Sequence, residues 1–309
     1  MKIDYWIFIS ILACCLSGCS EKEEDLQFTI DSGAPKETMR VITYNILEGM
    51  AADRPNNYDN FVEWVKHYDP DVLALQETNN ISQAALEDLA QRYGHAYALK
   101  LTPKYFLIPS DEVVDPYRPG QRVNDTYTPA ITSKYPMEIR EVFSTDTIHH
   151  GGIFVNIRGV NMVCLHLSPN STWKTKEAAE DFRVKEINVY LDNTIKKYPG
   201  ETDWLMVGDF NSVSPVDSAY YNMSYGWNYP TWRFQVHRLT TDAGYVDAVY
   251  QLHPYFQATN DLSGETPLRI DYIYVSKAVS RKLTRSRVLL DDFTKKYSDH
   301  CPVMVEFRN

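Results

Sequence analysis

Six short apolar runs in this 309-residue chain each stop at, or restart from, a polar side chain, and that arrangement constrains the fold more than any other feature. Asn45 closes Met39-Arg-Val-Ile-Thr-Tyr44, Glu77 follows Val72-Leu-Ala-Leu-Gln76, and His166 follows Val163-Cys-Leu165. The turn Gly208-Asp-Phe-Asn211 follows Trp204-Leu-Met-Val207, Asp271 precedes Tyr272-Ile-Tyr-Val275, and Asp299-His300 precede Pro302-Val-Met-Val-Glu-Phe307. Apolar runs of this length read as buried strands. Strands that present carboxylates, amides and imidazoles from one end of a sheet line a shared pocket.

Longer amphipathic stretches separate these runs. Phe61, Val62, Trp64 and Val65 predict a helix that ends before Pro70. Ala85, Leu86, Leu89 and Ala90 predict a second over residues 82–93, stopped by Gly94. Residues 174–198 repeat the pattern with Phe182, Ile187, Val189, Leu191 and Ile195, and Pro199-Gly200 close it. Between residues 97 and 155 the pattern changes to short strands and turns, interrupted by a long irregular loop at 103–128. Strands, a helical layer, more strands and a second helical layer predict an α/β fold of two sheets packed face to face with helices outside. The 44% hydrophobic content suits one large domain over residues 39–309.

The N-terminus reads as an address. Lys2 precedes a mostly apolar run, residues 5–16, too short to span a bilayer but the length of a signal-peptide core. It ends in Leu16-Ser-Gly-Cys19, which resembles the lipobox of bacterial lipoproteins, where the Cys is acylated and becomes the mature N-terminus. The alternative is an ordinary secretory signal. Residues 1–18 are then a signal peptide and 19–38 an acidic, solvated tether beginning Ser20-Glu-Lys-Glu-Glu-Asp25. The acidic run resembles the surface-export signal of Bacteroidetes lipoproteins, so the expected location is the bacterial outer membrane, on its periplasmic or external face. Beyond the leader only Cys164 and Cys301 remain. Each lies in an apolar strand and is expected as a buried free thiol rather than half of a disulfide. The formal charge of −10 persists without the leader, and an acidic protein is not steered broadly to nucleic acid.

Taken singly, each polar stop is weak evidence. The constellation is stronger: Gly208-Asp-Phe-Asn211 puts a base and a neutral hydrogen-bonding group on one turn, and Ser298-Asp-His300 sets a carboxylate beside an imidazole that Asp271 can orient. Here the chain resembles the endonuclease/exonuclease/phosphatase superfamily, which includes DNase I-like nucleases, AP endonucleases, neutral sphingomyelinases and inositol polyphosphate 5-phosphatases. The matching pieces are Thr43-Tyr-Asn45, Leu75-Gln-Glu77, Ser133-Lys-Tyr-Pro136, Leu165-His-Leu167, Gly208-Asp-Phe-Asn211, Arg269-Ile-Asp-Tyr272 and Ser298-Asp-His300, in the family's order.

The resemblance implies a four-layered α/β sandwich and a Mg²⁺- or Mn²⁺-dependent hydrolase of phosphate esters. It implies Glu77 as the main metal ligand, with Asn45 and Asp299 close to the metal or its waters. Oxygen donors suit such a hard cation. Asp209 would orient or deprotonate the attacking water, and Asn211 would hold a non-bridging oxygen. His300, fixed by Asp271, and His166 would bind the phosphate; which of them protonates the leaving oxygen stays open. Leu47 stands where the AP endonuclease branch often has an acidic ligand, although Glu48 is adjacent, and a His in Leu165-His-Leu167 is characteristic of the other branches. Both departures disfavour abasic-site repair.

Other features bear on the substrate, expected to be a small phosphorylated molecule, a lipid headgroup or nucleic acid. The aromatic stretch at 220–232 either stacks on a base or sugar, enters lipid headgroups, or packs on its own rings. His149-His-Gly-Gly152 is expected as a turn on the rim, and the basic stretch at 281–287 as a solvated strand face. The expected protein is a monomer attached to a membrane through lipidated Cys19. The competing class is a non-catalytic surface lipoprotein that keeps the fold and binds glycan or lipid.

Overall fold

A computed structural model describes residues 37–101, 127–143, 148–226, 230–260 and 267–309, without the side chains of residues 231 and 232. The expected leader at 1–18, nearly all of the tether and most of the 103–128 loop lie outside the described residues.

The first sheet has the order β11-β12-β1-β2-β4-β3, from β1 (Thr38–Asn45), β2 (Val72–Gln76), β3 (Tyr97–Lys100), β4 (Ala130–Ser133), β11 (Leu283–Val288) and β12 (Val303–Arg308). The second has the order β5-β6-β7-β8-β10-β9, from β5 (Glu138–Phe143), β6 (Gly152–Ile157), β7 (Val160–His166), β8 (Trp204–Asp209), β9 (Tyr245–Asp247) and β10 (Asp271–Ser276). Alternation along the central strands explains the stacking, because successive side chains leave opposite faces of a strand. Val41, Val72 and Ala74 point between the sheets to meet Cys164, Leu205, Val207 and Ile273, while Ile42, Leu73 and Leu75 point outward.

The outward face of the first sheet is covered by α2 (Asp59–Tyr68) and α3 (Gln83–Arg92), with Phe61, Trp64, Val65, Leu86 and Leu89 in the contact, and by α9 (Asp292–Tyr297). That of the second is covered by α4 (Lys176–Asn193) and α6 (Gln235–Asp242), through Ile187, Tyr190 and Val236 against Phe154, Trp204 and Met206. The predicted order of helix, sheet, sheet and helix is therefore the fold, a four-layered α/β sandwich. Among the described residues four further helices accompany it: the single turn α1 (Leu47–Met50), α5 (Ser218–Tyr225), α7 (Ala248–Leu252) and α8 (Lys277–Ser280). Among the described residues no helix is long and apolar enough to cross a membrane.

Register decides where the polar strand ends go. β1 runs parallel to β2 with Asn45 beside Gln76, so Asn45 and Glu77 emerge at the same pole. β7 runs parallel to β8 with His166 beside Asp209, and antiparallel β10 sets Asp271 opposite Asp209. Two parallel pairs, one in each sheet, thus deliver their C-terminal ends to one pole of the sandwich.

Two local expectations change and a third holds. The 220–232 stretch is helical as far as Tyr225, in α5, rather than a loop. α4 ends at Asn193 and its buried face carries Glu180, Arg183 and Glu186 beside Ile187, Tyr190 and Leu191, whereas Phe182, Val189 and Ile195 are at most partly buried. Cys164 and Cys301 are free and buried, as expected.

Candidate active site at one pole of the sandwich

Asn45 joins the two sheets. Its side-chain Nδ2 donates to Glu77 Oε1 and to Asp209 Oδ2, each at 3.1 Å, while its Oδ1 accepts from the Leu47 amide. The other Glu77 oxygen, Oε2, accepts from the Glu48 amide at 3.0 Å. That amide belongs to α1, in which Leu47, Glu48, Gly49 and Met50 all take positive φ. The α1 turn lies so close to the turn after β2 that a Cβ on Gly49 would stand 1.9 Å from Asn79 O. Glu77 (φ 58°) and Asn211 (φ 47°) are also left-handed, a conformation that costs free energy and that collects at functional sites.

Asp209 is the hub. Its Oδ1 accepts from the Asn211 amide at 2.7 Å. Its Oδ2, besides Asn45, lies 3.5 Å from His166 Nε2 and 3.9 Å from His300 Nε2. His166 Nδ1 is 3.1 Å from the carbonyl of Tyr127, so it carries the proton of that bond and leaves Nε2 facing Asp209. Asn211 is held by its Nδ2–H to Leu167 O.

His300 and Asp271 form a buried pair, with Nδ1 2.8 Å from Oδ2. Burial alone would lower the imidazole's pKa, but the charge and hydrogen bond of Asp271, helped by Asp209 and Asp299, raise it to about 10. Burial raises Asp271 to about 6 against the pull of His300. At neutral pH the pair is therefore imidazolium and carboxylate. Thr259 Oγ1 steadies it by accepting from the amides of Ile270 and Asp271, and the Ser298 hydroxyl ties it to β1 by donating to Asn45 O and accepting from His300 N.

All eight residues expected from the sequence lie at this pole. Seven are linked by the contacts above; Asp299 is the outlying one, with its side chain 55% exposed and Oδ1 3.9 Å from His300 Nε2. The donor chemistry fits a hard cation, since Glu77, Asn45 and Asp299 all offer oxygen. Asp209, Asp271 and His300 also bring one ligand atom each within 4.8 Å of one another. That trio is the poorer seat, because His300 Nδ1 is bonded to Asp271 and an imidazolium repels a cation.

Sequence reasoning missed three contributors. His150 sits not on the rim but buried, 4% exposed, with its ring 4.0 Å from that of His166. Burial, with the charges of His166 and His149 adding to it, holds His150 well below the usual imidazole range. Glu186 carries no motif, yet its carboxylate accepts from the amides of His149 and Ser168, at 2.7 and 2.9 Å, the first next to His150 and the second two residues past His166. Arg269, known from the sequence only as part of a motif, is buried in a triad with Asp217 and Asp247, at 2.8 and 2.6 Å, and braces β10. For His150, the one available signal was a doubled His beside Gly-Gly in a chain with eight His in all.

The fold is similar to that of solved structures. A 3′ phosphatase, NExo, from Neisseria, described with a product DNA hairpin, is 21% identical with a TM-score of 0.62, covering 87% of this chain and 99% of that one. An AP endonuclease from Archaeoglobus fulgidus is 16% identical with a TM-score of 0.64, covering 88% and 100%. An endonuclease/exonuclease/phosphatase from Beutenbergia cavernae is 19% identical with a TM-score of 0.61, covering 88% and 71%. At such identities the likeness is one of fold. None of the curated proteins matches the sequence at a significant level. The model of the Endonuclease/Exonuclease/phosphatase family matches residues 42–300, from within β1 to the imidazole that pairs with Asp271, and the chain belongs to that family.

Proposed function

We propose that the protein is a divalent-cation-dependent hydrolase of phosphate esters, exported and anchored through a lipidated Cys19. The observation that carries the catalytic reading is the Asn45 amide, shared between Glu77 and Asp209 at 3.1 Å each, which puts a metal-type carboxylate and a base-type carboxylate on one side chain. The cation, held by Glu77 with Asn45 and Asp299 beside it, would supply Lewis acidity to a phosphoryl oxygen. Asp209, oriented by the Asn211 and Asn45 N–H groups, takes the proton of the attacking water. His300 donates from Nε2 to a phosphate oxygen, its charge maintained by Asp271, and His166 presents Nε2 to the same space. Asn211 holds a non-bridging oxygen. Charge that grows on the phosphoryl oxygens thus meets donors fixed in advance, which is the largest usual source of catalysis.

Two observations support the reading: membership of a family named for endonucleases, exonucleases and phosphatases, and likeness in fold to a DNA 3′ phosphatase and an AP endonuclease. The net charge of −10 favours a compact phosphoester over long DNA, and His166 disfavours abasic-site repair. Location rests on the leader, with cleavage before Cys19, a tether over 19–38 and the catalytic body over 39–309.

The test is a substrate panel of plasmid DNA, bis(p-nitrophenyl) phosphate, sugar phosphates and sphingomyelin, run with and without EDTA beside Asp209→Asn. Turnover that needs the cation and disappears in Asp209→Asn is the expected result. DNA cleavage alone selects a nuclease and monoester hydrolysis alone a phosphatase. Inertness toward every ester with Mg²⁺, Mn²⁺ or Ca²⁺ sinks the reading.

A further inference from the structure

α4 buries a charged face. Glu180, Arg183 and Glu186 are spaced three residues apart and so share one side of the helix with Ile187 and Tyr190. Burying charge is costly, and core formation alone does not call for it at three successive turns. The three reach segments that meet at the candidate site, and two of them share Ser168. Glu180 Oε2 accepts from the Ser212 hydroxyl at 3.0 Å, next to Asn211. Arg183 donates from Nη1 to Ser168 O at 2.9 Å and from Nη2 to Asn170 Oδ1 at 3.0 Å, and it pairs with Glu180.

Glu186 differs from the other two in making no salt bridge among the described residues. Its oxygens are taken by two backbone amides, Oε1 by His149 N and Oε2 by Ser168 N. Those amides belong to the two segments that meet at His166. Ser168 is two residues past His166, and His149 begins the turn in which His150 packs its ring 4.0 Å from His166. The other side of His166 is fixed by the Tyr127 carbonyl at Nδ1.

We propose that Glu186 is a positioning residue for His166: by tying the His149 turn to the Ser168 turn, its carboxylate seats His150 against His166 and holds His166 Nε2 toward Asp209. The proposal rests on the phosphoesterase reading for its kinetic consequence, but its structural content does not depend on it. A glutamine at 186 is nearly the same size, yet it offers one acceptor oxygen and turns an N–H₂ toward one of the two amides. One turn is then released while the core stays filled.

The experiment compares the full chain with Glu186→Gln, reading the imidazole ¹H–¹⁵N signals of His166 without substrate and the hydrolysis of bis(p-nitrophenyl) phosphate with Mg²⁺. Folded E186Q is expected to shift the His166 signals and to lower kcat by about 10- to 100-fold with KM changed less than about threefold, as a small misplacement of a group acting in the transition state does. Glu186→Asp, which keeps the charge, recovers part of that loss. Folded E186Q with unaltered His166 signals overturns the proposal, whether or not its melting temperature falls. Should E186Q not fold, E186D together with amide exchange in the unaltered chain decides. Protected His149 and Ser168 amides with displaced His166 signals in E186D support it, and fast exchange at those amides overturns it. If the unaltered chain hydrolyses no ester, the NMR arm still reports on Glu186, so loss of the activity reading and loss of this proposal are separate outcomes.

Discussion

Across 2.8 Å, with little water near either group, Asp271 and His300 set each other's charge. His300 stands at about 10 in the fold against an ordinary value of about 6.5, so the fold binds this proton more tightly than the unfolded chain does. Its contribution to stability is present in full below about pH 6.5 and is lost as pH rises through about 10. Asp271, raised by burial to about 6, shifts in the same sense over a lower window, favouring the fold as its carboxyl protonates. Asp271→Asn removes the charge that keeps His300 protonated and leaves burial to lower it. The variant is expected to lose about 100-fold or more of its activity at pH 8, and the alkaline limb of its pH–rate profile should fall into the neutral range. An unmoved alkaline limb would mean that His300 does not work as an imidazolium. Gly208 poses a steric problem instead, for at φ 140° a Cβ would stand 1.9 Å from Leu165 O on the neighbouring parallel strand. Gly208→Ala is expected to cost about 2–4 kcal/mol, read as a lower urea midpoint, because backbone on both sides is fixed.

Helix α4 shows at the level of an element what apolar periodicity reveals and what it hides. Its presence and position were legible from Ile187 and Leu191, but the side facing the candidate site was not, because Glu180, Arg183 and Glu186 read as solvent residues in any hydropathy pattern. Their role depends on loops brought in from elsewhere in the chain, Ser168, His149 and Ser212, which no local window contains. α5 was ambiguous for the opposite reason: its aromatics suited either a recognition loop or packing on their own rings, and in the helix they form Tyr221 is buried with its hydroxyl accepting from the Arg269 amide, and Tyr220 stacks on Phe256 at 3.8 Å. The strand ends were legible since a polar residue closing an apolar run needs only the strand itself to be placed. Removing the α4 guanidinium tests how much this buried charge matters. Arg183→Ala leaves Glu180 buried without its cation and Ser168 O without its donor, and about 3–5 kcal/mol should be lost in denaturant unfolding. A change below about 1 kcal/mol would show that water reaches Glu180 and that the α4 charges are not a buried unit.

Across the whole molecule the site divides its chemistry by sheet. The first sheet presents the oxygen donors, Asn45 and Glu77 at the ends of β1 and β2 and Asp299 before β12. The second presents His166, Asp209, Asn211 and Asp271. Asn45 to Asp209 and His300 to Asp271 are among the contacts that cross between them at this pole, so the relative placement of the sheets is also the relative placement of the groups proposed to hold the cation and those proposed for acid–base work. A cation bound by Glu77 binds the folded state and not the unfolded one, and it should therefore stabilise the entire sandwich. At a Mg²⁺ concentration 100-fold above Kd the gain is about 2.7 kcal/mol, which for a body of this size raises Tm by roughly 5–10 °C. Glu77→Gln should abolish that rise, whereas Asp271→Asn, which disrupts the Asp209, Asp271 and His300 cluster, should keep most of it. The reverse pattern would move the cation to the second sheet and assign Glu77 to holding Asn45 and the α1 turn, because each carboxylate oxygen already has one of those partners.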